Sequence, residues 1–158
     1  MGAVVAPLGP FVPYDKMLER TAQFTPSGGL LTARILNGNA IRDQIYSELQ
    51  SQIQELAGVG IRPGLATVLV GENPASKIYV NSKIAACEQL GLASWRYTPP
   101  AAVTTDELLE LVCDVNARED VDGILVQLPL PPQVDSKKVL EAVDPAKDVD
   151  GFHPVSLG

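Results

Sequence analysis

With 158 residues, 46% of them hydrophobic and 20% charged, the chain has the make-up of one ordinary globular domain able to bury a core. A formal net charge of −7 argues against broad nucleic-acid binding, which needs a basic face, yet leaves room for a local basic pocket around a small anion. No run approaches the roughly 20 apolar residues that span a bilayer, and the Pro-rich start MGAVVAPLGPFVPY lacks the basic opening of a secretory signal, so a soluble, cytoplasmic protein is expected.

In chain order, residues 1–31 are rich in Pro and Gly without a sustained period, and are expected to form a disordered extension before a domain over residues 32–158. Ile41, Ile45, Leu49, Ile53 and Leu56 then recur at steps of three or four and predict a helix that stops at Gly58 and Gly60. A short apolar run over residues 65–70 predicts a strand. After it, Asn73 and Pro74 read as a helix N-cap and a favoured first helical residue, with Gly91 closing the helix. LASWRY predicts a second strand, TTDELLELVCDVNARED a helix capped by Thr104 or Thr105, DGILVQLPLPP a third strand, and DSKKVLEAVDPAKD a further helix before the turn-like DVDGFHP. Strands made of nearly unbroken apolar runs, alternating with helices, predict an α/β fold with a largely parallel sheet covered by helices on both faces. Cys87 and Cys113 are far apart, form no C-x-x-C, and lie beside apolar residues of their helices, so both are expected to be buried thiols.

In open α/β sheets, ligands bind in the crevice outside the carboxyl ends of the strands. The helix SKIYVNSKIAACEQLG starts there and carries Tyr79 and Lys83 one turn apart on one side. Val80, Ile84 and Cys87 flank the lysine, and such partial burial disfavours the charged ammonium, a setting suited to proton exchange. The alternative is a lysine laying its stem along apolar surface with a tyrosine packed beside it. Gln127, a polar residue inside ILVQLPL, must find partners if buried: it either braces the backbone or faces a ligand, where Pro129 and Pro131 end the strand. Asp148 and Asp150 precede a glycine turn, as surface Asx-turn residues or as a carboxylate that accepts paired N–H donors from a heterocycle.

Other motifs fail. Y-x-x-x-K also marks short-chain dehydrogenases, but GVGIRPG has the wrong glycine spacing and precedes a strand instead of following one. GENPASK lacks the second glycine of a P-loop, DVDG lacks the remaining ligands of a calcium loop, and the lone His153 has no second metal ligand nearby in sequence. No metal site is expected.

Taken together, NPASKIYVNSKIAACEQLGL, DGILVQLPLP and DPAKDVDGFHP closely resemble the amino-terminal catalytic domain of the bifunctional methylenetetrahydrofolate dehydrogenase/methenyltetrahydrofolate cyclohydrolase family, from about Arg34 onward. The resemblance implies that Lys83 is the catalytic acid/base, that Tyr79 aligns substrate and lysine, and that Gln127 modulates the lysine through a hydrogen bond. It further implies that Asp150 holds the pterin ring, that Pro129, Val126 and Leu128 shape the folate cleft, and that Ser76 lies one turn before Tyr79 on the same stripe. NADP is the implied cofactor, tetrahydrofolate derivatives the substrates, and a homodimer the assembly. Ser156 stands where the family's HPxNxG places asparagine, which alters a hydrogen bond expected near the interdomain hinge. No Gly-rich dinucleotide fingerprint occurs, so the NADP-binding Rossmann domain and the returning carboxy-terminal helix are expected to be missing from this chain. It would then support no NADP-dependent hydride transfer and at most weak cyclohydrolase activity. A rival from another class is a non-catalytic module that binds folate or pairs with a full-length homologue; a third reading is an unstable fragment without an independent role.

Overall fold

The computed structural model describes residues 36–158, of which Asn37–Gly158 form one compact unit. The extension expected over residues 1–31, and the expected domain start at residue 32, lie outside the described residues. Helix α1 (Gly38–Gly58) begins where the Asn37 side chain accepts the Ala40 N–H. Strand β1 (Gly64–Val68) follows, then α2 (Pro74–Leu90), β2 (Ala93–Tyr97), α3 (Thr105–Asn116), β3 (Gly123–Val126), α4 (Ser136–Glu141) and the single-turn α5 (Pro154–Leu157). The chain is α/β, and its sheet has the order β2-β1-β3 with both pairings parallel.

The helix ends follow from local chemistry. Asn73 accepts the Ser76 N–H at the start of α2 and Pro74 occupies the first turn, where no N–H is missed. Gly91 ends the helix at φ 83°, a left-handed conformation that favours glycine. Thr104 accepts the Glu107 N–H while the Glu107 carboxylate accepts the Thr104 N–H, a reciprocal capping box that fixes the start of α3. Thr104→Ala is expected to cost about 1 kcal/mol of stability, read as a lower midpoint in urea denaturation.

Alternation along the strands sorts the core into two layers. Ala66 and Val68 of β1 and Ile124 and Val126 of β3 join Leu108, Val112 and Val115 of α3 and Val139 of α4 in one buried cluster. Thr67, Leu69 and Leu125, offset by one residue, are buried as well, as are Val80, Cys87 and Leu90 of α2, which packs beside β2. Each fully buried Leu or Val contributes about 1.5–3 kcal/mol, so this double-sided burial accounts for the apolar strand sequences.

One expectation needs correction. Cys113 is exposed on α3, because the helix turns Leu108, Val112 and Val115 inward and leaves position 113 outside that stripe; Cys87 is buried. Burial raises the Cys87 thiol above its usual range, and Glu88 adds to the effect. A thiol reagent is therefore expected to modify Cys113 rapidly and Cys87 only after denaturation, checked by counting released chromophore with and without urea. The apolar stripe of α1 also behaves differently from the core helices: Ile41, Ile45 and Leu49 are exposed and no residue of α1 is buried.

Candidate active site

The strand order places the site. From β1 the chain leaves through α2 to β2 on one side of the sheet, whereas the segment after α4 returns on the other side, where Asp148 bridges Ile124 of β3. The carboxyl ends of the adjacent strands β1 and β3 therefore flank a topological switch point, where connections diverge and leave a crevice. Gln127 sits there: it lies one residue beyond β3, and its backbone N–H extends the ladder by donating to Val68 O at 2.9 Å.

The Gln127 side chain is only half satisfied. Its Nε2 donates to Leu128 O at 2.8 Å, while Oε1 is buried and has no hydrogen-bond partner. A buried acceptor without a donor costs free energy, and in native proteins it commonly awaits a ligand, a water or a mobile cation. The Leu128–Pro129 peptide that follows is cis. Pro129 is exposed, Leu128 packs against the core, and the Val126 side chain lies within it at 3% exposure. Val126 thus presents its backbone, not its side chain, to any cleft at this edge.

Lys83 is half-buried on the third turn of α2, while Tyr79, one turn earlier, is 64% exposed and Ser76 is buried at the start of the helix. Among the described residues no hydrogen bond joins the Tyr79 hydroxyl to the Lys83 ammonium. The Tyr79 carbonyl instead accepts the Ser82 hydroxyl at 2.8 Å. Lys83 does face a charge from a distant part of the chain. Asp150 is exposed as a residue, but partial desolvation of its carboxyl pushes it above the usual carboxylate range, Lys83 opposes that rise, and the neighbouring Asp148 reinforces it. An ammonium on α2 and a carboxylate after α4 therefore share one electrostatic environment at the sheet edge, with no direct salt bridge consuming either.

Asp148, which the sequence leaves as an Asx-turn candidate, plays that structural part. Its carboxylate accepts the N–H groups of Gly151 (3.0 Å) and His153 (2.9 Å) and the Ser156 hydroxyl (2.9 Å). Burial alone would raise its pKa, but these bonds, with a further contribution from the Phe152 N–H, hold it below the usual carboxylate range. His153 is the N-cap of α5, its Nδ1 accepting the Val155 N–H at 3.1 Å. Sequence reasoning did not foresee α5, whose single turn is too short to show a period; the His-Pro pair at its start was the available signal.

The connections from β2 to α3 and from β3 to α4 contain no glycine, and that from β1 to α2 contains Gly71 alone. Gly71 adopts φ 73°, a left-handed conformation that favours glycine, and a Cβ there would also meet the Ala101 Cβ at 3.2 Å.

The family model for tetrahydrofolate dehydrogenase/cyclohydrolase, catalytic domain, matches residues 36–150. The bifunctional protein FolD of Solibacter usitatus is 60% identical over 125 residues, covering 79% of this chain and 41% of that protein. Among solved structures, the bifunctional FolD methylenetetrahydrofolate dehydrogenase/cyclohydrolase of Campylobacter jejuni superposes with a TM-score of 0.75 at 45% identity, covering 77% of this chain and 43% of that one. The Trypanosoma brucei N5,N10-methylenetetrahydrofolate dehydrogenase-cyclohydrolase, complexed with NADP cofactor and inhibitor, gives a TM-score of 0.77 at 34% identity, covering 80% and 43%. This chain spans less than half the length of each of these relatives. With residues 36–150 matched by its catalytic-domain model, the chain belongs to the tetrahydrofolate dehydrogenase/cyclohydrolase family.

Proposed function

We propose that this chain carries the folate-binding, proton-transferring half of a methylenetetrahydrofolate dehydrogenase/methenyltetrahydrofolate cyclohydrolase, and that the reaction its own residues perform is the hydrolysis of 5,10-methenyltetrahydrofolate to 10-formyltetrahydrofolate. The observations that carry the reading are the charge coupling of Lys83 to Asp150, from elements far apart in sequence, and the buried, orphaned acceptor of Gln127 at the carboxyl end of β3. Asp150 accepts the paired N–H donors on the aminopyrimidine edge of the pterin, a geometry suited to a carboxylate. Gln127 Oε1, with no donor of its own, receives a hydrogen bond from the Lys83 ammonium when the lysine swings inward, and Tyr79 lines the approach. Leu128, Pro129 and the backbone at Val126 form the wall on which the ring system lies, and Ser76 anchors the first turn of the lysine helix.

The hydrolysis balances as follows. A water oxygen bonds to the electrophilic methenyl carbon and gives a proton to the Lys83 side chain acting as general base. The bond from that carbon to the ring nitrogen then breaks, the nitrogen takes a proton from the lysine, and the net reaction releases one proton to solvent. One lysine serves both transfers because each needs it in a different protonation state. Oxidation of the methylene substrate belongs to the family's bifunctional cycle and needs NADP; no described residue is assigned to that cofactor, and no step here passes through it. A cytoplasmic setting and a dimer complete the reading, the former in keeping with two unpaired cysteines. The test is the decay of methenyltetrahydrofolate absorbance with the native chain, with Lys83→Met, and with buffer. Lysine-independent decay would dismiss the assignment, and folate binding without hydrolysis would favour the non-catalytic module.

A further inference from the structure

We propose that Asp148 is a positioning residue, whose carboxylate gathers the backbone of the DVDGF loop and the Ser156 hydroxyl so that Asp150 is held toward Lys83. The loop is fixed on both sides of Asp150 by different means. Upstream, the Ile124 N–H donates to Lys147 O at 2.7 Å, and Lys147 Nζ donates to the carbonyls of Asn116 (2.8 Å) and Arg118 (2.7 Å). Val149 covers Gly123 so closely that a Cβ there would lie 2.6 Å from its Cγ1. Residues 147–149 are thereby riveted to the edge of β3.

Downstream, Gly151 reverses the chain at φ 69°, and the N–H groups of Gly151 and His153 turn back to the two oxygens of Asp148. Ser156 closes the ring by donating to Oδ2, eight residues along the chain. Asp150 stands at the apex, and its carboxylate has no hydrogen-bond partner among the described residues. A side chain so left open, on a backbone so constrained, keeps its acceptor oxygens available while paying little conformational entropy to present them. Ser156 belongs to this ring: its short hydroxyl reaches Asp148 directly.

The inference deepens the folate reading, but its test does not depend on turnover. The midpoint at which the Asp150 carboxyl titrates would be followed by carbon-13 NMR in the unliganded chain, with Lys83→Met as a probe of charge coupling. Because Lys83 lowers that midpoint, Lys83→Met raises it in the otherwise native chain. With Asp148→Asn, which removes one acceptor oxygen from the ring, the same Lys83→Met step is expected to change the midpoint little or not at all. With Ser156→Ala the coupling is expected to be reduced, and this milder variant serves if Asp148→Asn loses its cooperative thermal transition. An undiminished shift in folded variants would overturn the proposal, whatever the catalytic outcome. If the hydrolysis assay succeeds, Asp148→Asn should raise KM at least fivefold with kcat nearly unchanged, and add less than twofold in an Asp150→Asn background. Independent, multiplying effects would instead mark Asp148 as structural only.

Discussion

Lys83→Met is expected to lower the rate of methenyltetrahydrofolate hydrolysis at least about a hundredfold, toward that of buffer, because a positioned proton-transfer group contributes roughly 10²–10⁴. Methionine keeps a flexible apolar stem of similar length, so the half-buried packing of the side chain beside Val80 and Cys87 is preserved while every donor is lost. A thermal transition close to that of the native chain would then separate lost chemistry from lost structure. The substitution also acts on Asp150. Partial desolvation raises that carboxyl and Lys83 restrains the rise, so removing the ammonium lets it rise further. In the proposed role the ionised Asp150 carboxylate accepts the pterin N–H donors, so binding should be lost as pH falls through its titration. In Lys83→Met, binding should therefore weaken at a higher pH than in the native chain, measurable by titrating a reduced folate at two pH values. Hydrolysis that survives the substitution would remove Lys83 from the mechanism, and binding that fails at the same pH in both chains would separate it from Asp150.

The parts of the fold that were legible are those written in local chemistry. Asn73-Pro74, Thr104 and Gly91 each carry a side chain or a backbone freedom that acts within four residues, so both ends of α2 could be read directly and the start of α3 to within one residue, whereas the end of α3, at Asn116, falls short of the run to Asp120 that the sequence suggested. Strands β1 and β3 were legible because burial on both faces leaves an apolar run, as in GILV, whereas β2, ASWRY, is an edge strand with no buried residue and was marked by the proline pair that follows it. What escaped depends on which neighbours arrive from elsewhere. Cys113 has apolar neighbours in sequence but falls off the inward stripe of α3, and the periodic apolar residues of α1 cannot reveal whether anything covers them. At the candidate site, the residue types were legible while their division of labour was not. Asp148 and Asp150 look alike in DVDG. Only the closing of the loop shows that one carboxylate is consumed by backbone N–H groups and the other left open beside a lysine.

A single added methyl group should have opposite effects at two glycines, and the larger effect lies at the base of β1. Gly64→Ala is expected to destabilise the chain by about 3 kcal/mol or more, at or beyond the upper end of ordinary overpacking. A Cβ at Gly64 would lie 2.3 Å from Asp120 O and 2.5 Å from the Trp95 ring, distances that require the backbone or the indole to move. Neither moves freely. The Gly64 N–H donates to Asp122 Oδ2 and its carbonyl accepts the Asp122 N–H, both at 2.8 Å, which fixes the approach of the segment before β3. The Arg118 guanidinium lies over the Trp95 ring, 4.4 Å from its centroid, and Arg118 is in turn forked onto Asp120 and donates to the Tyr97 hydroxyl. The methyl would therefore push against the register of β1 with both of its neighbours. Gly58, at the end of α1, has nothing within 4 Å of its would-be Cβ, so Gly58→Ala should stabilise by about 0.5–1 kcal/mol through helix propensity. Paired urea denaturation curves read both changes: a lower midpoint for Gly64→Ala and a higher one for Gly58→Ala. If Gly64→Ala were neutral, the close packing of β1 against Trp95 and Asp120 would have to be abandoned, and with it the rigid sheet edge on which Gln127 and Asp150 are set.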